Sequence, residues 1–301
     1  MRALADKLKE RDIPYRTDVS AQTLSTFRIG GVVSIVIEPR CVGELQNAVL
    51  FCRDCGMRHV ILGNGSNVLF EDGHLALAVI RTTALDFVRV LPDGIVAGCG
   101  VLLPQLCRLA AMRGFAGLSF ACGIPGTLGG ALAMNAGAHG KSISDVVKSV
   151  KLLNLTTGDI RTDVNLKKSS NYRKSGIEFE KEIFLSAELA LQGGEDPTCL
   201  LDEMSRLKAA RKASQPLEFP SAGCVFKRPH PDQPIGKLLD ELGCKGMRVG
   251  GASVSTKHAA FIINEGGASA TDVINLMWKI QKKAEKERGM TLEREIRIIS
   301  G

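Results

Sequence analysis

The chain has 301 residues, 45% hydrophobic and 24% charged, which is the make-up of a folded globular protein and excludes a disordered or low-complexity chain. At that length two or three compact units can each bury a core. A net charge of +7 favours anionic partners, but aromatics make up only 5%, with one Trp and two Tyr, so no stacking platform for single-stranded nucleic acid is evident.

The first twelve residues carry both charge signs and no apolar run, so neither a signal peptide nor an anchor is expected there, and the expected location is cytoplasmic. From 44 to 56, Leu45, Ala48, Val49 and Cys52 have helical spacing, and 59–62 then reads as a short buried strand. Cys52 and Cys55 form a CxxC, yet no second CxxC or His pair completes a set of zinc ligands, so two positions on an ordinary helix are expected. With nine scattered cysteines, reduced thiols are the default. The loop Gly63-Asn-Gly-Ser-Asn67 offers a nest of backbone N–H groups suited to a pyrophosphate, although a plain tight turn has the same composition.

Strand patterns recur at 76–81, 87–91 and 95–97, followed by a helix from 104 to 112 that stops at Gly114. The loops Gly63-Asn-Gly65 and Gly98-Cys-Gly100 each follow a strand, but Val68 and Leu103 stand where a dinucleotide fingerprint needs its third glycine, which argues against a Rossmann domain. Residues 114–140 hold no Asp, Glu, Lys or Arg and carry eight glycines. Pro125 and the glycine pairs would break a membrane-spanning helix, whose freed backbone lipid cannot satisfy. Small residues at this density instead let backbone approach a large, flat ligand with a polar tail.

Strands are expected at 146–155 and 182–191, separated by a turn-rich basic segment. The run 193–197 reads as a linker before a helix at 199–212. A third unit then holds a helix at 235–242, a strand at 259–264 and a long helix at 269–289. Ser269 and Asp272 occupy capping-box positions on that helix, and Val273, Met277, Ile280 and Ala284 form its buried stripe. The last expected strand runs from 292 to 299.

Four segments in order, Thr26-Phe-Arg-Ile-Gly-Gly31, Gly63-Asn-Gly-Ser-Asn-Val-Leu69, 123–140 and Pro220-Ser-Ala-Gly-Cys-Val-Phe-Lys-Arg-Pro229, resemble the signature blocks of the UDP-N-acetylenolpyruvoylglucosamine reductases, flavoenzymes of peptidoglycan precursor synthesis. The resemblance covers about 25–299. It implies an α+β fold, with two subdomains of the vanillyl-alcohol-oxidase (PCMH) type clasping FAD and a C-terminal α+β substrate domain. The expected divisions are 1–83, 84–194 and 203–301. The short stretch from Arg173 to Leu191 has no room for an extra tyrosine-bearing loop, which resembles the shorter class of the family.

In that family hydride passes from NADPH to FAD and from flavin N5 to C3 of the enolpyruvyl group, leaving carbanion character at C2. Such a reaction needs cationic or hydrogen-bonding groups at the neighbouring carboxylate and a proton donor at C2. The resemblance assigns the first task to Arg173, whose fork suits a carboxylate, with Glu295 beside it, and the second to Cys224. Most relatives carry serine at that last position. A thiol, ordinarily near pKa 8.5, is mostly protonated at neutral pH and is the stronger acid, provided Lys227 and Arg228 do not draw it to the thiolate.

By the same resemblance, Gly63, Asn64, Gly65, Ser66, Asn67, Ile124, Pro125, Gly126, Thr127, Gly130, Asn135 and Gly137 hold the cofactor. His139, Tyr172, Arg173, Ser221, Gly223, Lys227 and Arg228 face the UDP-sugar. His139 replaces a family tyrosine, and Ser142 stands where an acidic residue is common; protonation of a histidine there would make substrate affinity depend on pH. FAD and NADPH are the expected cofactors, with no metal and neither nucleic acid nor membrane as partner, and a monomer is expected. The alternatives are another FAD-dependent oxidoreductase of the same fold and, from a different class, a basic nucleic-acid-binding protein.

Overall fold

The computed structural model describes residues 1–179 and 181–301. The chain opens with α1 (Arg2–Glu10), β1 (Tyr15–Ser20), β2 (Val32–Ile37), α2 (Val42–Asp54), β3 (His59–Leu62), β4 (Val68–Phe70), β5 (His74–Arg81), β6 (Val88–Leu91) and β7 (Gly94–Gly98). It continues with α3 (Leu103–Met112), α4 (Leu128–Ala133), β8 (Gly137–Ala138), β9 (Lys141–Ser142), β10 (Val147–Asn154), β11 (Ile160–Asp163), α5 (Leu166–Ser169), β12 (Glu182–Ala190) and α6 (Pro197–Ser214). The last stretch holds β13 (Ser221–Cys224), α7 (Ile235–Glu241), β14 (Arg248–Val249), β15 (Ala252–Val254), β16 (Phe261–Asn264), α8 (Ala270–Arg288) and β17 (Arg297–Ile299). Two compact units result: Met1–Thr17, Ile35–Asn64 and Leu77–Ala210 form the first, and Asp18–Ser34, Gly65–Ala76 and Arg211–Gly301 the second.

The first unit is built on a five-stranded sheet in the order β11-β10-β12-β7-β6, antiparallel throughout. β12 reads as a near-continuous apolar run because Ile183, Phe184, Leu185, Ala187 and Leu189 are all buried. Helix α2 turns Leu45, Ala48, Val49 and Cys52 into the core, the spacing of one helical face. Helix α3 ends at Gly114, where φ is +69°, a left-handed conformation that glycine adopts without strain. Gly98 and Gly100 serve packing, since a Cβ on either would fall 2.2 Å from the carbonyl oxygen of Leu85 or Thr82.

The second unit carries a four-stranded sheet in the order β13-β16-β15-β14 and a parallel pair, β4 with β17. Phe27, Ile29 and Leu69, from early in the chain, share one core with Val225, Phe226, Ile262, Val273 and Ile280. Helix α8 has the expected capping box between Ser269 and Asp272, the expected buried stripe and a left-handed Gly289 at its end. A second cap comes from Asp72, whose carboxylate accepts the N–H groups of Ala270 and Thr271, both at 2.9 Å.

Several expectations need correction. The last strand is confined to Arg297–Ile299, because Arg294 pairs with Phe226 and the Glu295 N–H bonds the Val225 carbonyl instead of continuing the ladder. The segment after 155 is more than turns: β11 forms there without apolar alternation, as the edge partner of β10 in the register Val150 to Asp163 through Leu153 to Ile160. β3 is fully buried only at Leu62, since it lies at a sheet edge. Among the described residues no helix is long and apolar enough to cross a membrane.

Candidate active site

In the first unit two distant glycine segments are fastened together. The Asn64 Nδ2 donates to the Pro125 carbonyl at 2.6 Å, and a Cβ on Gly63 would lie 2.3 Å from the Thr127 Oγ1, so only glycine admits that hydroxyl. Thr127 is the N-cap of α4 and accepts the Gly130 N–H at 3.3 Å. The Leu103 N–H bonds the Gly126 carbonyl and the Leu128 N–H the Val101 carbonyl, both clamping residues 126–128. The N–H groups of Gly63, Asn64, Gly126 and Thr127 donate to no acceptor among the described residues, although Gly126 and Thr127 are buried. Buried donors left over in this way are what a bound phosphate needs, so the donor set fits the pyrophosphate of FAD.

Not every glycine of 114–140 belongs to that donor set. A Cβ on Gly129 would meet the Cys99 Cβ at 2.8 Å, and one on Gly137 would meet the Lys141 carbonyl oxygen at 2.5 Å, so these two serve the fold. Gly130 is exposed, with nothing nearer its Cβ direction than the Thr127 Oγ1 at 3.6 Å. Ile124 packs half-buried on the core. His139 follows β8 with φ of +54°, and Tyr172 and Arg173 sit in a turn where Arg173 has φ of +58° and its guanidinium carbon lies 4.9 Å from the Tyr172 ring centre.

The second unit gathers the remaining residues. Gly65, at φ of +65°, packs so tightly that a Cβ would fall 2.0 Å from the Leu24 carbonyl oxygen, and its own carbonyl accepts the Thr26 N–H. The Ser66 N–H and the Asn67 N–H have no acceptor among the described residues, which repeats the pattern of the first unit. The Asn67 Nδ2 donates to the Glu295 carbonyl at 3.1 Å and its carbonyl accepts the Arg297 N–H.

Cys224, half-buried, closes β13 just after Gly223 at φ of +78°, in a strand whose register slips between Ser221 and Cys224. The Glu295 N–H to Val225 carbonyl bond of 2.9 Å sets Cys224 and Glu295 on neighbouring segments. Lys227 is engaged by the Glu293 carboxylate and the Arg228 Nη1 by the Pro231 carbonyl, so the cation three residues beyond Cys224 already has an anionic partner. The Ser221 carbonyl accepts the Thr26 hydroxyl at 2.7 Å. Burial pushes the thiols of Cys52, Cys99 and Cys107 up to about 12 and keeps them unreactive.

Arg173 therefore belongs to the first unit, and Cys224 with Glu295 to the second. Sequence reading missed the links that seat them: Asn67 on Glu295, Thr26 on Ser221 and Asn135 on Asn171. The Thr26 and Asn67 bonds join residues about two hundred positions apart, and no local pattern signals them.

This fold and donor set define an FAD-binding oxidoreductase, and residues 33–163 match the FAD binding domain family. Residues 215–299 match the family described as UDP-N-acetylenolpyruvoylglucosamine reductase, C-terminal domain. The chain is 41% identical over 276 residues to the UDP-N-acetylenolpyruvoylglucosamine reductase of Carboxydothermus hydrogenoformans, covering 91% of this chain and 90% of that one. It is 38% identical over 299 residues to that of Pediococcus pentosaceus, covering 99% and 97%. The crystal structure of the Thermus caldophilus reductase superimposes with a TM-score of 0.79 at 32% identity, over 95% of this chain and 98% of that one. Physcomitrella patens BBE-like 1 shares the fold alone, with a TM-score of 0.51 at 18% identity over 63% of this chain and 44% of that one. The chain belongs to the UDP-N-acetylenolpyruvoylglucosamine reductase family.

Proposed function

We propose that this protein reduces the enolpyruvyl group of UDP-N-acetylglucosamine enolpyruvate to the lactyl ether of UDP-N-acetylmuramate, with NADPH as reductant. FAD, when bound, supplies hydride relay from NADPH to the enolpyruvyl C3. The N–H groups of 63–67 and 126–127 would hold its pyrophosphate. Arg173 pairs with the substrate carboxylate and stabilises the charge that grows there as the double bond is reduced, and Glu295 is a further catalytic residue. Cys224 gives its thiol proton to C2, which completes the addition of one hydride and one proton across the double bond. Tyr172, His139, Ser221, Gly223, Lys227 and Arg228 contact the UDP-sugar.

Supporting this reading most directly is the bond between the Glu295 N–H and the Val225 carbonyl, which seats a half-buried thiol and a carboxylate on adjacent segments. The same proposal divides the chain into flavin-binding subdomains at 1–83 and 84–194 and a substrate domain at 203–301. The family matches over 33–163 and 215–299 support the coarser part of that division, a flavin-binding part followed by a C-terminal substrate domain. It also takes the enzyme as a cytoplasmic monomer.

The test is anaerobic. Purified holoenzyme mixed with NADPH should bleach in the flavin band, and the enolpyruvyl UDP-sugar alone should restore the colour. Reoxidation only by some other acceptor would turn the reading to a different flavin reductase of this fold. A colourless protein with steeply salt-dependent nucleic-acid affinity would remove flavin chemistry altogether.

A further inference from the structure

The turn that carries Arg173 is held by a side chain from elsewhere in the first unit. Asn171 and Lys174 exchange N–H to carbonyl bonds of 2.8 and 3.1 Å, closing a turn in which Arg173 takes the left-handed conformation. A non-glycine residue stays there only when its surroundings impose it. The Asn135 Nδ2 donates to the second lone pair of the Asn171 carbonyl at 3.0 Å.

Asn135 is itself fixed. Its Oδ1 accepts the Ser144 N–H at 3.2 Å, which forbids flipping the carboxamide, and the residue is only 8% exposed. Its own φ of +40° places it in the left-handed position after α4, where asparagine is well tolerated. The network continues outward: the Ser144 Oγ lies 3.1 Å from the Ser142 Oγ, and Ser142 forms a capping box with Asp145. Ser142 belongs to β9, whose hairpin with β8 carries His139 between the strands.

We propose that Asn135 is a positioning residue for the substrate carboxylate. It fixes Arg173 through the Asn171 carbonyl and, through Ser144 and Ser142, ties that turn to the hairpin bearing His139. Both polar ends of its carboxamide are engaged by protein, which sets this role apart from the flavin contact that the family resemblance implies for the same position. The inference rests on the reading of Arg173 given above.

The decisive variant is Asn135→Asp in the holoenzyme. It keeps the shape, the tolerance for left-handed φ and the acceptor for Ser144, but turns the donor facing Asn171 into an acceptor facing a carbonyl. The KM for the enolpyruvyl sugar should rise about tenfold, the scale of one lost buried hydrogen bond, while flavin content per chain and the KM for NADPH match the parent enzyme. Asn135→Gly, which keeps the backbone conformation and removes both bonds without adding charge, should do the same. In an Arg173→Ala background the Asn135→Asp change should add less than about twofold, because the two residues act as one unit.

Loss of flavin with an unaltered KM for the sugar would make Asn135 a cofactor contact and overturn the inference. So would an undiminished effect in the Arg173→Ala background. If Arg173→Ala alone left the KM for the sugar unchanged, the functional reading of Arg173 would fall and take the inference with it.

Discussion

The first unit leaves backbone N–H donors over at Gly63, Asn64, Gly126 and Thr127, whereas the second, besides the N–H groups of Ser66 and Asn67, seats the thiol and carboxylate side chains of Cys224 and Glu295. In the first, the unpaired donors are the N–H groups of Gly63, Asn64, Gly126 and Thr127, which any residue type but proline would supply; glycine matters because the Thr127 hydroxyl must reach Gly63. In the second, a thiol and a carboxylate, Cys224 and Glu295, are seated by hydrogen bonds between segments far apart in the chain. Backbone recognition thus leaves a dense local motif in the sequence, while side-chain chemistry leaves single residues whose meaning depends on their neighbours in space.

The contrast can be broken at three points. The largest effect is expected at Cys224. Cys224→Ala should lower kcat by about 10²- to 10⁴-fold, the usual worth of a positioned general acid, with flavin content intact, and Cys224→Ser should recover most of that loss. Undiminished turnover in the alanine variant would take the proton-donor role away from the second unit.

The opposite pattern is expected at Gly63. Gly63→Val places carbon where the Thr127 hydroxyl sits, so flavin content should collapse and stability should fall by about 1–3 kcal/mol, read by absorbance and thermal denaturation. Gly43→Ala is the control: a Cβ there meets nothing within 4 Å, and in the first turn of α2 it should be neutral or slightly stabilising. A flavin-replete Gly63→Val protein would refute the backbone-cradle account.

The smallest effect concerns the second unit's own stability. Burial opposes the charged form of Asp72, but the N–H groups of Ala270 and Thr271 and the Thr271 hydroxyl outweigh it, holding the carboxyl below its ordinary range. Asp272 is lowered as well, chiefly by the Ser269 N–H. Because the folded-state values are depressed, this stabilisation is complete above the unfolded carboxylate range and is lost as pH falls through the folded values. Asp72→Ala should cost about 1 kcal/mol at neutral pH, the scale of a helix cap. Thermal melts of Asp72→Asn and Asp272→Asn should flatten the acid limb; an unchanged slope would mean the caps are not what titrates.

Much of the candidate site was legible because its motifs are contiguous. The 63–67 loop and the 123–130 run stand out by glycine content, and the structure shows why: close approach at Gly63 and a capped α4. The capping box and buried stripe of α8 were equally plain, since both follow from spacing within one helix. β11 was not legible, because an edge strand with exposed side chains needs no apolar alternation and takes its form from β10. The shortening of the final strand was hidden for a similar reason: Phe226 and Val225 compete for Arg294 and Glu295.

Local pattern by itself determined most helices and strands, the glycine loop at 63–67 and, through four ordered blocks, the family, because period, turn chemistry and glycine placement act over a few residues. Tertiary structure alone decided that Phe27, Ile29 and Leu69 complete the core of a unit built mainly from 211–301, and that Asn135 braces the turn of Arg173. Those outcomes depend on which distant segments meet, and a hydrogen bond or an apolar contact between them leaves no mark on the spacing of either.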